Sequence, residues 1–157
     1  MENLVNVQYH ANGKSTTTND MGMREMQARA FEKRAAKYLL VKAPPASGKS
    51  RALMFIALDK LVNQGLSKVI VAVPERSIGA SFKDTELSKY GFFTDWHVEP
   101  KNNLTTAGGE TSKTNAVINF LNGDDKVLVL THATLRFAYE KIHDDHAFDN
   151  VFLAIDE

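Results

Sequence analysis

The chain has 157 residues, enough for one domain, and 43% of them are apolar, enough for a core. Its 19 basic and 19 acidic side chains cancel, so no overall positive charge marks it as a nucleic-acid binder. It has no cysteine, which excludes disulfides, thiolate metal sites and a cysteine nucleophile.

The charge is unevenly spread. Residues 1–64 hold 10 basic and 5 acidic side chains, leaving 9 and 14 for the remainder. This reads either as two solvated surfaces or as a basic half gathered around an anion site. No apolar stretch near the start has the form of a secretory signal, and no uncharged run approaches membrane-spanning length. A cytoplasmic protein with no membrane contact is expected.

Residues 1–19 are polar and predict a mobile leader. Asp20 is placed to cap a helix through MGMREMQARAFEKRAAK, whose Met23, Met26, Ala30 and Phe31 recur at helical spacing. YLLVKA, residues 38–43, predicts a buried strand. SRALMFIALDKLVNQG predicts a helix closed by Gly65, with Leu53, Ile56, Ala57, Lys60 and Leu61 on one stripe. KVIVAVP, residues 68–74, has the continuous β-branched character of a parallel strand covered on both faces. ERSIGASFKDTELSKY predicts a third helix and FFTDWHV a strand, with Trp96 as a packing residue. EPKNNLTTAGGETSK predicts a long flexible loop. A short helix over TNAVINFLN, a buried strand over residues 126–131 and a helix over HATLRFAYEKI follow. HDDH, residues 143–146, reads as a solvated connection rather than a metal site. NVFLAIDE closes the chain as an apolar strand ending in two carboxylates. The alternation predicts an α/β fold, a mainly parallel sheet sandwiched by helices.

Two stretches carry chemistry. APPASGKS, residues 43–50, lies between the 38–43 strand and the following helix. It fits the pattern small-x-x-x-x-Gly-Lys-Ser with Ala43 in the first position. Such a loop grips phosphates through inward backbone N–H groups, the positive end of the helix and one long cation. Gly48 permits close approach, Lys49 supplies the cation and Ser50 offers a hydroxyl to magnesium. Pro44 and Pro45 have no N–H to give, so the donors fall to Ala46, Ser47, Gly48, Lys49 and Ser50. At the other end of the chain, Asp156 and Glu157 stand where a strand delivers them to the ligand-collecting edge of an open sheet. There Asp156 suits magnesium, held through water, and Glu157 suits polarising an attacking water.

APPASGKS and FLAIDE together resemble motifs I and II of superfamily-2 helicases and translocases of the DEAD/DEAH type, in particular restriction-enzyme motor subunits. MREMQARA is similar to their upstream Arg-x-x-Gln segment. That implies adenine recognition by Gln27 with Arg24 nearby. VIVAVPERSIGASF resembles motif Ia and VLVLTHATL motif Ib, which implies nucleic-acid backbone contacts at Pro74, Arg76 and Thr131. His132 is left as either a cap or a phosphate donor. The resemblance covers residues 20–157. It implies the first RecA-like ATP-binding domain of a P-loop NTPase, using ATP and Mg2+ and partnered by nucleic acid, DNA in preference to RNA, and by a second RecA-like domain. It also implies a domain incomplete at the motif II strand, with a strand missing beside the phosphate-loop strand. Such a piece is expected to bind nucleotide weakly and hydrolyse it poorly alone. Other P-loop NTPases, such as a packaging motor or a small kinase, and a catalytically idle binding fragment are the alternative readings.

Overall fold

The computed structural model describes residues 16–157. The expected mobile leader therefore lies almost wholly outside the described residues. Four α-helices alternate with three strands. In chain order they are α1 (Glu25–Glu32), α2 (Lys49–Asn63), β1 (Lys68–Val73), α3 (Glu110–Asn122), β2 (Val127–Thr131), α4 (His132–Lys141) and β3 (Val151–Ile155). The sheet is fully parallel, in the order β2-β1-β3. Val69 to Val73 pair with Val127 to Thr131 on one side, and Lys68 to Ala72 pair with Val151 to Ile155 on the other.

Alternating side chains of β1 divide the core in two. Val69, Val71 and Val73 join Val127 and Val129 beneath α1, α2, Phe82 and Trp96. Ile70 and Ala72 join Leu128 and Leu130 beneath α3 and α4, where Val117, Phe120 and Ala138 close the layer. The expected α/β sandwich is this one, and it has the form of an incomplete RecA-like domain. Among the described residues no helix is long and apolar enough to cross a membrane.

Five local expectations are corrected. The first helix begins at Glu25, not after Asp20, because the Asn19 carboxamide accepts the Met21 and Met23 N–H groups and holds a turn there. Residues 38–43 form no strand. Tyr38 and Leu40 are 85% and 91% exposed, and a groove of about 840 Å3 separates this stretch from β3. An apolar run extends into a strand only where a ladder receives it. Third, Arg76–Phe82 is a 3-10 helix and a second 3-10 turn covers Ser88–Tyr90, in place of one longer helix. Buried Gly79 lies so close to the Thr105 side chain that a Cβ would overlap it. Fourth, FFTDWHV contributes one antiparallel bridge, Thr85 to Trp96, rather than a strand. Trp96 is a packing residue, as expected. It is 1% exposed and donates its indole N–H to the Phe82 carbonyl at 2.9 Å. Fifth, the stretch 99–109 is anchored. Asn103 bridges Val129, Leu104 donates to the Val129 carbonyl at 2.8 Å, and Asn102, Leu104 and Thr105 are buried.

Candidate nucleotide and nucleic-acid sites

Because the sheet is parallel, β1, β2 and β3 all deliver their C-terminal ends to one edge. Two depressions open there.

The first is a cleft of about 590 Å3. Its lining includes Arg24 and Gln27 of α1, Ala46, Gly48, Lys49 and Ser50 of the loop, and Asp156 and Glu157 after β3. The loop reverses direction through two left-handed residues, Ala46 at φ +58° and Gly48 at φ +90°. Gly48 is the N-cap residue of α2, so the unpaired N–H groups of the first turn of a 15-residue helix open beside it. Lys49 folds back and donates its ammonium to the Ala43 carbonyl at 2.9 Å and the Pro44 carbonyl at 3.4 Å. The loop thus encircles its own cation.

Gln27 is 2% exposed, so it is no solvated helix residue. Its Oε1 accepts from the Arg24 N–H at 2.8 Å and its Nε2 donates to the Gly48 carbonyl at 3.0 Å. One end of the amide thus closes the start of α1, and the other joins α1 to the loop. A Cβ at position 48 would stand 2.5 Å from Gln27 Nε2, so glycine there answers to space as well as to φ. Ser47 does not line the cleft. Its Oγ is buried with no hydrogen-bond partner among the described residues.

Asp156 follows β3, and its N–H donates to the Ala72 carbonyl of β1 at 2.9 Å. Its own carbonyl accepts from His132 Nε2, also at 2.9 Å. The position of Asp156 is therefore fixed from both sides of the main chain. Burial pushes its carboxyl above the ordinary carboxylate range. Lys49, the Glu157 N–H and His132 each act in the opposite sense. Lys49 and Asp156, far apart in sequence, thus face each other electrostatically across one cleft. The sequence reading left the role of His132 open; the structure makes it the strut that ties α4 to the end of β3.

The second depression, of about 460 Å3, shares no lining residue with the first. Pro74, Arg76 and Thr131 meet in it. Arg76 is exposed at the start of its 3-10 helix. Thr131 is the N-cap of α4, its Oγ1 accepting the Thr134 N–H at 3.2 Å, so its side chain has a structural duty as well. Lys113 also lines this depression and was not singled out from sequence. A signal for it existed. Lys113, Val117 and Phe120 are spaced as one buried helix face, with the lysine standing where an apolar residue is expected.

The sequence profile of the DEAD/DEAH box helicases matches residues 24–157, from Arg24 to Glu157. The chain belongs to the DEAD/DEAH box helicase family. Across all 157 residues it is 68% identical to a Bacillus subtilis (strain 168) protein described as "Putative ATP-dependent helicase YeeB", of which it spans 26%. No solved structure matches the chain.

Proposed function

We propose that the chain is the ATP-binding portion of a nucleic-acid-dependent ATPase, a helicase or translocase, and that the cleft between Gly48 and Asp156 takes the nucleotide. The observation carrying this is the convergence of Lys49, the first turn of α2 and Asp156 on one cleft from opposite ends of the sequence. The residues fit a polyphosphate. A helix N-terminus and a lysine face the same space.

In this reading Lys49 exchanges the Ala43 and Pro44 carbonyls for the outer phosphates. The N–H groups from Ala46 to Ser50 hold the remaining phosphate oxygens. Ser50 and Asp156 would hold Mg2+, which when bound neutralises charge on the phosphoryl group being transferred. Glu157 accepts a proton from the attacking water. Gln27 and Arg24 border the side where a base would lie. Recognition of adenine by Gln27 would fall to the second N–H and the second lone pair of its amide, one of each being held by the Gly48 carbonyl and the Arg24 N–H.

Pro74, Arg76 and Thr131 are proposed to meet a nucleic-acid backbone, DNA in preference to RNA, in a motor of the restriction or repair type. Magnesium, hydrolysis, cytoplasmic location and a second RecA-like domain supplying arginines to the cleft belong to the same proposal. So does a strand from the longer protein lying in the groove between residues 38–43 and β3. Alone, residues 1–157 are expected to hydrolyse ATP slowly.

The test is titration of a fluorescent ATP analogue with magnesium into wild type and Lys49→Ala. Loss of at least about tenfold in affinity is expected, from a charge-assisted contact of about 1.5–3 kcal/mol. Equal binding by the two proteins would remove the cleft from consideration.

A further inference from the structure

Two further residues, Lys83 and Thr85, line the nucleotide cleft, and Asp84 lies between them. Thr85 Oγ1 donates to the Lys83 carbonyl at 2.9 Å, so this stretch of wall is tied to itself. Thr85 is also joined to Trp96 by two main-chain bonds, at 2.9 and 3.0 Å. The Asp84 carboxylate closes the same junction with its side chain. Its Oδ1 accepts the Val98 N–H at 2.9 Å, and its Oδ2 meets His97 Nδ1 at 2.7 Å. The other ring nitrogen of His97, Nε2, meets Glu99 Oε1 at 3.0 Å.

An ionised carboxylate only accepts, and a neutral imidazole carries one N–H. Both contacts are hydrogen bonds at once only when His97 is an imidazolium. The surroundings favour that charge. His97 and Glu99 line a hollow of about 440 Å3 with Asp95, Asp124, Asp125 and Lys126. Lys101 stands 3.0 Å from Asp125 at its rim. The facing end of α2 brings Leu58, Leu61 and Val62, which carry no charge. Acids therefore outnumber bases around the ring. The bond to Glu99, and after it the bond to Asp84, holds His97 above the ordinary histidine range. Asp84 is held below the ordinary carboxylate range, first by the Val98 N–H and less by His97. Because the histidine value is raised on folding, the clasp is complete below the unfolded value. It is lost as pH rises through the folded one.

We propose that His97 is a positioning residue for the nucleotide cleft: as an imidazolium it clasps Asp84 and Glu99 and so steadies the Lys83–Thr85 wall, and loss of its proton loosens that wall. The proposal rests on the nucleotide reading given above and adds to it a device that tunes affinity with pH. The hollow and the cleft have no lining residue in common. The effect therefore travels through Asp84 and the Thr85–Trp96 bridge rather than by contact with the nucleotide.

The experiment uses the full-length protein and a fluorescent ATP analogue with magnesium, titrated from about pH 6 to about pH 9, across the histidine range. His97→Arg carries a permanent charge and donors for both carboxylates, and His97→Gln carries no charge. Ionisation of the nucleotide is common to all proteins and cancels in their ratios. Wild type is expected to match His97→Arg at low pH and to bind about two- to fivefold more weakly than it at high pH, the span of an exposed ion pair. His97→Gln should be the weaker binder at both ends of the range. Asp84→Asn keeps an acceptor for the Val98 N–H but not the charge, and should shrink the wild-type step. A constant ratio of wild type to His97→Arg across the range would overturn the proposal. So would a full step in Asp84→Asn. If wild type fails to bind the analogue at any pH, the nucleotide reading itself is wrong. If it binds and the His97 variants share its profile, only the clasp is wrong.

Discussion

β2 and β3 are each five-residue apolar strands, parallel to β1 and in register with it, yet they meet different surroundings. All five residues of β2 are buried, whereas in β3 Leu153 and Ile155 are 49% and 48% exposed. Neither composition nor the ladder explains the difference. What explains it is the next neighbour outward. Asn103 and Leu104 seal the outer edge of β2. Beyond β3 lies the groove toward residues 38–43, lined by Tyr38, Leu40, Phe152 and Leu153 among others. A strand inside a parallel sheet depends on both flanks, so one side of this domain is finished and the other stays open.

The contrast can be broken or sharpened by substitution. The largest effect is expected on the sealed side. Leu130→Ala, at a residue 0% exposed, should cost about 2–5 kcal/mol in urea melts. A loss below about 1 kcal/mol would show that the sealed side is as loosely packed as the open one.

An intermediate effect belongs to Asp156, at the end of the open strand. Its carboxyl is held above the ordinary range, chiefly by burial. Between the unfolded and the raised folded value, the native state binds more protons than the unfolded chain. Stability of the wild type therefore falls as pH rises through that window. Asp156→Asn lacks this loss. Its advantage in melting temperature should grow from about pH 4 upward and then level off above the raised value. A pH-independent difference would mean that the carboxyl is solvated like any surface acid.

The smallest effect is expected at Leu153→Ala, within about 0.5 kcal/mol in residues 1–157 because the side chain is half exposed. In the full-length protein, if a strand fills the groove, the same substitution should approach the cost of Leu130→Ala. Equal, small effects in both settings would argue that the groove stays open.

The same contrast governs what could be read from sequence. The runs 68–73, 127–131 and 151–155 were legible because their apolar, largely β-branched character matches strands that do form. The placement of the loop ending in Gly48-Lys49-Ser50 and of the acid pair at 156–157 was legible because both lie at element ends, which meet at one cleft. Residues 38–43 have the same apolar character and misled, since strand formation there depends on a partner that local sequence does not encode. Residues 76–90 misled for a related reason: the approach of Gly79 to Thr105 and the Thr85–Trp96 bridge are long-range facts. Lys113 escaped notice because EPKNNLTTAGGETSK reads as a loop and the helix was expected only from Thr114, whereas α3 begins at Glu110. Only its spacing with Val117 and Phe120 hinted otherwise.

The bond from His132 to Asp156 ends on the main-chain oxygen, not on the side chain. With the amide of Asp156 also tethered to Ala72, the strand terminus is moored by atoms that every amino acid except proline possesses. Exchanging the carboxylate therefore leaves the mooring in place, and a defect in such a variant reports lost chemistry. Exchanging His132 does the reverse: it removes one of the two tethers with the acid intact.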